Sequence, residues 1–185
     1  TNEVEGKRTF KAEGNAEVDY DNFTLCAGTL YLNEEEDSIF AKDNVVISEK
    51  EEGGAVMKTD EINANKDFSS ASAQDISFEK GMGFGSAGEF KKESEVYKLK
   101  KIKVSSCKHD KEKGLKPTWS MSSTEGKYEK ENDQLYLYNT TFLIKDVPVM
   151  WFPYFTFQPS RTHGFLAPEA GYQNDQLFLR TPYFI

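Results

Sequence analysis

Three short stretches hold side chains able to do chemistry. His163 lies within the run PVMWFPYFTFQPSRTHGFLAP, from Pro148 to Pro168. Cys107-Lys108-His109 sets a thiol two residues from an imidazole, and Glu34-Glu35-Glu36-Asp37 gathers four carboxylates. Nucleophilic or metal-assisted hydrolysis would need a setting such as G-x-S-x-G or H-E-x-x-H, and phosphate chemistry a glycine-rich loop before a helix. None of these occurs in the sequence. The chain therefore reads as no enzyme. A lone C-x-H in a Lys-rich stretch lacks the further ligands that zinc takes. Adjacent carboxylates without spaced ligands and a tight Gly read as a solvated hairpin tip rather than a calcium loop. Neither a metal nor a cofactor is expected.

Charge narrows the partners. The formal net charge is -8, with 23 Lys+Arg against 31 Asp+Glu. No stretch concentrates the basic residues enough to follow a phosphate backbone, so no nucleic acid is expected as a partner. The 185 residues suit one domain, or one domain and the beginning of a second. Aromatic residues make up 14% of the chain, a bias towards strands. The longest apolar run, Val147 to Phe155, is too short for a spanning helix and is cut by Pro148 and Pro153. Contact with a bilayer would have to come through strands. The first residue, Thr1, follows no Met and no apolar leader, which reads as a mature or excised segment.

The elements that must position any site are short alternating strands. FKAEGNAEVDY (Phe10 to Tyr20), IFAKDNVVISE (Ile39 to Glu49), ASAQDISFEK (Ala71 to Lys80) and YKLKKIKVSS (Tyr97 to Ser106) recur about every 30 residues, the spacing of a stacked repeat. A second strand and a charged turn lie between successive copies. Alternation puts Leu30, Leu32, Ile39 and Ala41 on one face, with Ile62, Ala64, Ala71 and Ala73 at matching positions. Asp43-Asn44 and Gln74-Asp75 break the alternation alike, as bulges do. No window keeps a helical period. The pattern predicts an all-β fold, a sandwich or solenoid of antiparallel strands over an apolar interior. Leu30, Leu32, Ile39, Val45, Ile47, Ile62, Ile76 and Phe78 are the candidate lining of a slot for acyl chains. Periodicity serves equally well for the closed core of a sandwich.

The repeat A-x-G/D-N-V/A-x-V/I, followed by a longer signature, resembles the lipopolysaccharide-assembly outer-membrane protein family (LptD, also organic solvent tolerance protein, OstA). The signature comprises Pro117-x-Trp119, Asn139 with Phe142, Pro148-Val149, Pro153-Tyr154-Phe155, Pro159, Arg161, Gly164-Phe165-Leu166 with Pro168, and Pro182-Tyr183. The resemblance implies a periplasmic two-sheet, V-shaped β-jelly-roll over 1–145, a proline and aromatic connection over 146–163, and the first strands of a truncated outer-membrane β-barrel over 164–185. A closed barrel needs at least about eight strands, and this segment supplies about two.

The implied function is lipopolysaccharide transport and assembly at the cell outer membrane, with this segment mainly periplasmic. Implied partners are lipopolysaccharide, a periplasmic bridge protein (LptA-like) joining an edge strand near Lys7 to Val18, and an outer-membrane lipoprotein plug (LptE-like). A periplasmic bridge-type lipopolysaccharide-binding protein, or a module that pairs by β-strand addition, is the alternative. His163 is then a polar residue at the membrane rim. Pro168 and Pro182, lacking N–H donors, would weaken a barrel seam as a lateral gate. Some family members pair cysteines of this module with the far end of the barrel, for which Cys107 is the better candidate. A Cys26–Cys107 bond competes, and Cys26 could also be a small buried residue of a strand.

Overall fold

In the computed structural model, the alternating runs of the sequence are strands. The structure describes residues 9–20, 22–51, 54–81, 83–106 and 117–158, and the backbone of 164–165, 169–173, 176–180 and 183–184. Ten strands follow one another: β1 (Thr9–Asp19), β2 (Phe23–Asn33), β3 (Ser38–Glu49), β4 (Val56–Asn65), β5 (Ser70–Lys80), β6 (Gly83–Glu93), β7 (Val96–Ser105), β8 (Trp119–Glu129), β9 (Gln134–Ile144) and β10 (Val147–Phe157). They form one ten-stranded sheet in chain order. Every neighbour pair is antiparallel. No helix occurs among the described residues. Short polar turns set this meander. Glu34 to Asp37 are the exposed tip between β2 and β3, where Asn33 Oδ1 accepts the N–H groups of Glu35 and Glu36 at 3.1 and 3.3 Å.

Most strands bend near the middle, at the break in alternation. In β5, Ala71 and Ala73 are buried, Gln74 and Asp75 are exposed, and Ile76 is buried again. β3 repeats this about Asp43-Asn44, and β9 about Tyr138-Asn139. Left-handed backbone marks these breaks: φ is +57° at Asn15, +69° and +57° at Asp43 and Asn44, +47° at Asp75 and +49° at Asn139. Asn and Asp tolerate that region better than branched residues do. The extra residue slips the alternation by one at the bend, so the apolar side chains of both halves stay on the concave side.

The bends divide the sheet into two wings whose rims meet. Phe23, on the rim of one wing, packs against Phe68, in the turn that ends the other, with ring centroids 4.5 Å apart. Lys80 Nζ donates to the Tyr128 hydroxyl at 2.8 Å, and Lys130 Nζ reaches Glu49 Oε1 at 3.5 Å. The two layers expected of the jelly-roll are thus halves of one hydrogen-bonded sheet folded on itself. Between them lies one core, in which Leu25, Ala41 and Leu137 are fully buried.

The expected connection over 146–163 takes a different form. Val147 to Phe157 is the tenth strand, paired along its length with β9, and Phe152 and Phe155 pack on the core. Prolines fit here because β10 is an edge strand, where donors that face away from the sheet are dispensable, and the register slips between Pro148 and Met150. Beyond it, β11 (Gly164–Phe165) pairs with β14 (Tyr183–Phe184), and β12 (Glu169–Gln173) with β13 (Gln176–Arg180). Cys107, His163, Pro168 and Pro182 lie outside the described residues.

Candidate functional site

The concave interior is the largest shared feature of the strands, and the residues singled out by alternation all face it. Leu30, Ile39, Val45, Ile62 and Ile76 are buried, while Leu32, Ile47 and Phe78 are partly buried and pack on the same cluster. The structure adds Leu25, Phe90, Leu99, Ile102, Leu137 and Phe142 to this lining. Their parity relative to the bends marks them equally well in the sequence.

The apex of the fold is held by hydroxyls that satisfy the kinked backbone. Thr59 Oγ1 donates to the carbonyl of Gln74 at 2.8 Å, and Thr29 Oγ1 donates to Asp43 Oδ2 at 3.1 Å. Ser123 and Thr140, both buried, share a hydrogen bond of 3.0 Å. Such groups are costly to bury unpaired, and no buried side-chain nitrogen or oxygen among the described residues lacks a partner. Two glycines make room inside. An added Cβ at Gly126 would lie 2.3 Å from Ile102 Cδ1, and one at Gly85 would lie 2.6 Å from the Phe78 ring.

The interior is sealed along its middle and open at its ends. Phe10 of β1 pairs with Leu32 and is 42% exposed. At the other end, Val147 pairs with Ile144 and Met150 with Phe142, and they are 60% and 44% exposed. Directly paired residues share a face, so these side chains belong to the interior row. β1 and β10 each have a strand neighbour on one side only. Arrays of this kind can hold apolar chains. No group of three or more His, Cys, Asp or Glu among the described residues could hold a metal ion.

The long rim is polar over much of its length. Glu49, Lys80, Lys92, Tyr97, Tyr128 and Lys130 gather there, all partly buried. Burial, then the charge of Glu49, pushes the Tyr97 phenol far above its ordinary range. Burial and the hydrogen bond with Asp133, 2.6 Å away, do the same for Tyr128. Burial holds the Lys92 ammonium below its usual range. From the sequence Lys92 reads as a turn residue; it lies instead in β6, two positions beyond the buried Phe90. Cys26 is not a small buried residue: it lies between the inward Leu25 and Ala27, points outward and is an exposed free thiol.

No family model matches the chain. Curated relatives do. The LPS-assembly protein LptD of Acinetobacter baumannii is 27% identical over 168 residues, 88% of this chain and 20% of that protein. Over most of its length the chain is similar to LptD proteins. The LptD of Psychrobacter cryohalolentis is 29% identical over 140 residues, covering 72% of the chain and 13% of the relative. That of Vibrio vulnificus is 25% identical over 175 residues, covering 92% and 22%. The chain thus spans about a fifth, or less, of the curated LptD proteins it matches. Those matches cover most of this chain, so the folded sheet, and not one short motif, carries the LptD likeness.

Proposed function

We propose that this chain is the lipid-carrying part of a lipopolysaccharide-assembly protein, receiving acyl chains between its two wings on the periplasmic side of the outer membrane. One observation carries this reading: the inward rows form a single apolar interior running across the strands, with its inward side chains exposed at the ends of the sheet. A closed core needs no such open ends. An acyl chain does, since burying each methylene contributes about 0.8 kcal/mol and chains can continue from one trough into the next. The protein acts as a carrier and not as a catalyst.

The free side of β1 is the docking edge for a periplasmic bridge protein, by main-chain pairing. Residues 164–185 begin the barrel that a lipoprotein plugs, and Pro168 and Pro182 loosen its seam so that lipid leaves sideways. The whole is an outer-membrane protein with residues 1–145 and β10 in the periplasm.

The test is photo-cross-linking in living cells, in the full-length protein. A light-activated residue at Ile62 or Ile76 should capture lipopolysaccharide, and one at the exposed Glu35 or Glu61 should not. Equal capture at all four positions, or capture at none, overturns the carrier reading.

A further inference from the structure

Inward positions are apolar from the bend outward until the last turn of the alternation, where several become charged. In β3 the row runs Val45, Ile47, Glu49; in β5 it runs Ile76, Phe78, Lys80; in β6 it runs Phe90, Lys92. Tyr97, Tyr128 and Lys130 share the wing of Lys92 and stand opposite Glu49 and Lys80. Lys80 Nζ is 2.8 Å from the Tyr128 hydroxyl and 3.6 Å from Asp133 Oδ1. Lys130 Nζ is 3.5 Å from Glu49 Oε1, and Lys92 Nζ is 5.6 Å from the centre of the Tyr97 ring. The same rim is closed near β1 by ring contacts among Tyr20, Phe23 and Phe68. Closure by itself therefore does not require ammonium groups, which lose hydration at half-buried inward positions.

We propose that Lys80, Lys92 and Lys130 form a cationic rim for the phosphate groups of an acylated glycolipid whose chains lie between the wings. The inference rests on the carrier reading and adds where the polar end of the lipid sits. Chains that enter an apolar interior through its long rim leave a phosphorylated sugar head at that rim, because burying it would strip its hydration. With the wings closed, Glu49, Tyr128 and Asp133 hold two of the ammoniums. When the wings part, these pairs separate and the lysines exchange carboxylate for phosphate. A phosphate oxygen forms charge-assisted hydrogen bonds of the strong class.

The test uses the 185-residue chain and two probes: lipid A with its phosphates, and the same lipid enzymatically dephosphorylated. The wild type should bind the phosphorylated probe about tenfold tighter, the size expected of a charge-assisted hydrogen bond. The triple variant Lys80→Gln, Lys92→Gln, Lys130→Gln should lose that preference and keep its affinity for the dephosphorylated lipid. The corresponding triple Arg variant should retain the preference. Raising salt should erase it in the wild type, a readout that stands even where the Gln variant fails to fold. Equal wild-type affinity for the two probes, a salt-insensitive preference, or a preference that survives in a folded Gln variant overturns the rim while leaving the carrier reading intact. Binding of neither probe by the wild type overturns the carrier reading itself.

Discussion

The ring of Phe68 meets the ring of Phe23 edge-on, with centroids 4.5 Å apart. The two residues belong to opposite rims of the folded sheet, and Tyr20 joins them, 4.9 Å from Phe23 and 5.4 Å from Phe68. Phe68 is only 4% exposed although it sits in a turn. Phe68→Ala should therefore cost about 3 kcal/mol or more, as removal of a buried aromatic does. Urea unfolding measures it; a loss below about 1 kcal/mol would mean the rims do not depend on this contact.

The bends require left-handed backbone, and Asn44 has φ +57° beside Asp43 at +69°. Asn44→Val should destabilise by about 1–2 kcal/mol, because a branched side chain crowds the following carbonyl. Asn44→Gly should be close to neutral. The two midpoints in urea decide the matter, and equal midpoints would show that the bend carries no backbone preference.

Gly85 leaves space that Phe78 of the neighbouring strand fills. An added Cβ would lie 2.6 Å from the Phe78 ring and 2.7 Å from the Lys103 carbonyl. The ring could turn away, but the carbonyl belongs to the sheet. Gly85→Ala should lower stability by about 1–3 kcal/mol, the usual cost of overpacking. Thermal unfolding at neutral pH reads the loss.

Tyr97 and Tyr128 predict sensitivity to alkali. Both phenols titrate above the ordinary value of 10.0, chiefly through burial. Above that value the folded state keeps protons that the unfolded state has lost, so stability falls as pH rises. Below it the two states are equally protonated at these groups and no slope arises from them. The melting temperature should thus drop above about pH 10. Tyr97→Phe should shrink the drop; an unchanged pH profile in that variant would remove Tyr97 as its source.

The edge strand offers a cleaner separation of folding from docking. Consecutive residues of β1 direct their N–H groups to opposite sides, towards β2 and away from it. Of Lys11→Pro and Ala12→Pro, one should weaken the sheet, and the other should leave the melting temperature nearly unchanged while abolishing pull-down of the periplasmic bridge protein. Binding retained by the stable variant would move the docking edge elsewhere.

Much of the fold was legible because its signals are local. Alternation identifies inward Leu30, Ile39 and Ile62 within a few residues of each, and Asp43-Asn44 marks a bulge by composition. Two features were not legible. Val147 to Phe157 reads as a rigid, proline-fixed connection, and only its pairing with β9 at the edge of the sheet, where the prolines are harmless, makes it a strand. Lys92 reads as a turn residue because a charged run surrounds it, yet pairing with Ala71 keeps it within β6.

By itself the sequence determined the alternating strands ahead of Val147, their turns, their antiparallel character and the parity that sends apolar side chains to one side. Each follows from a side-chain period of two and from turn chemistry within a few bonds. Only the tertiary structure decided that the sheet closes on itself, bringing Phe68 onto Phe23 and Lys130 to Glu49 across 81 residues of chain. The reason is geometric: the meeting of the rims depends on bend and twist accumulated over the strands, a sum that no single segment of sequence contains.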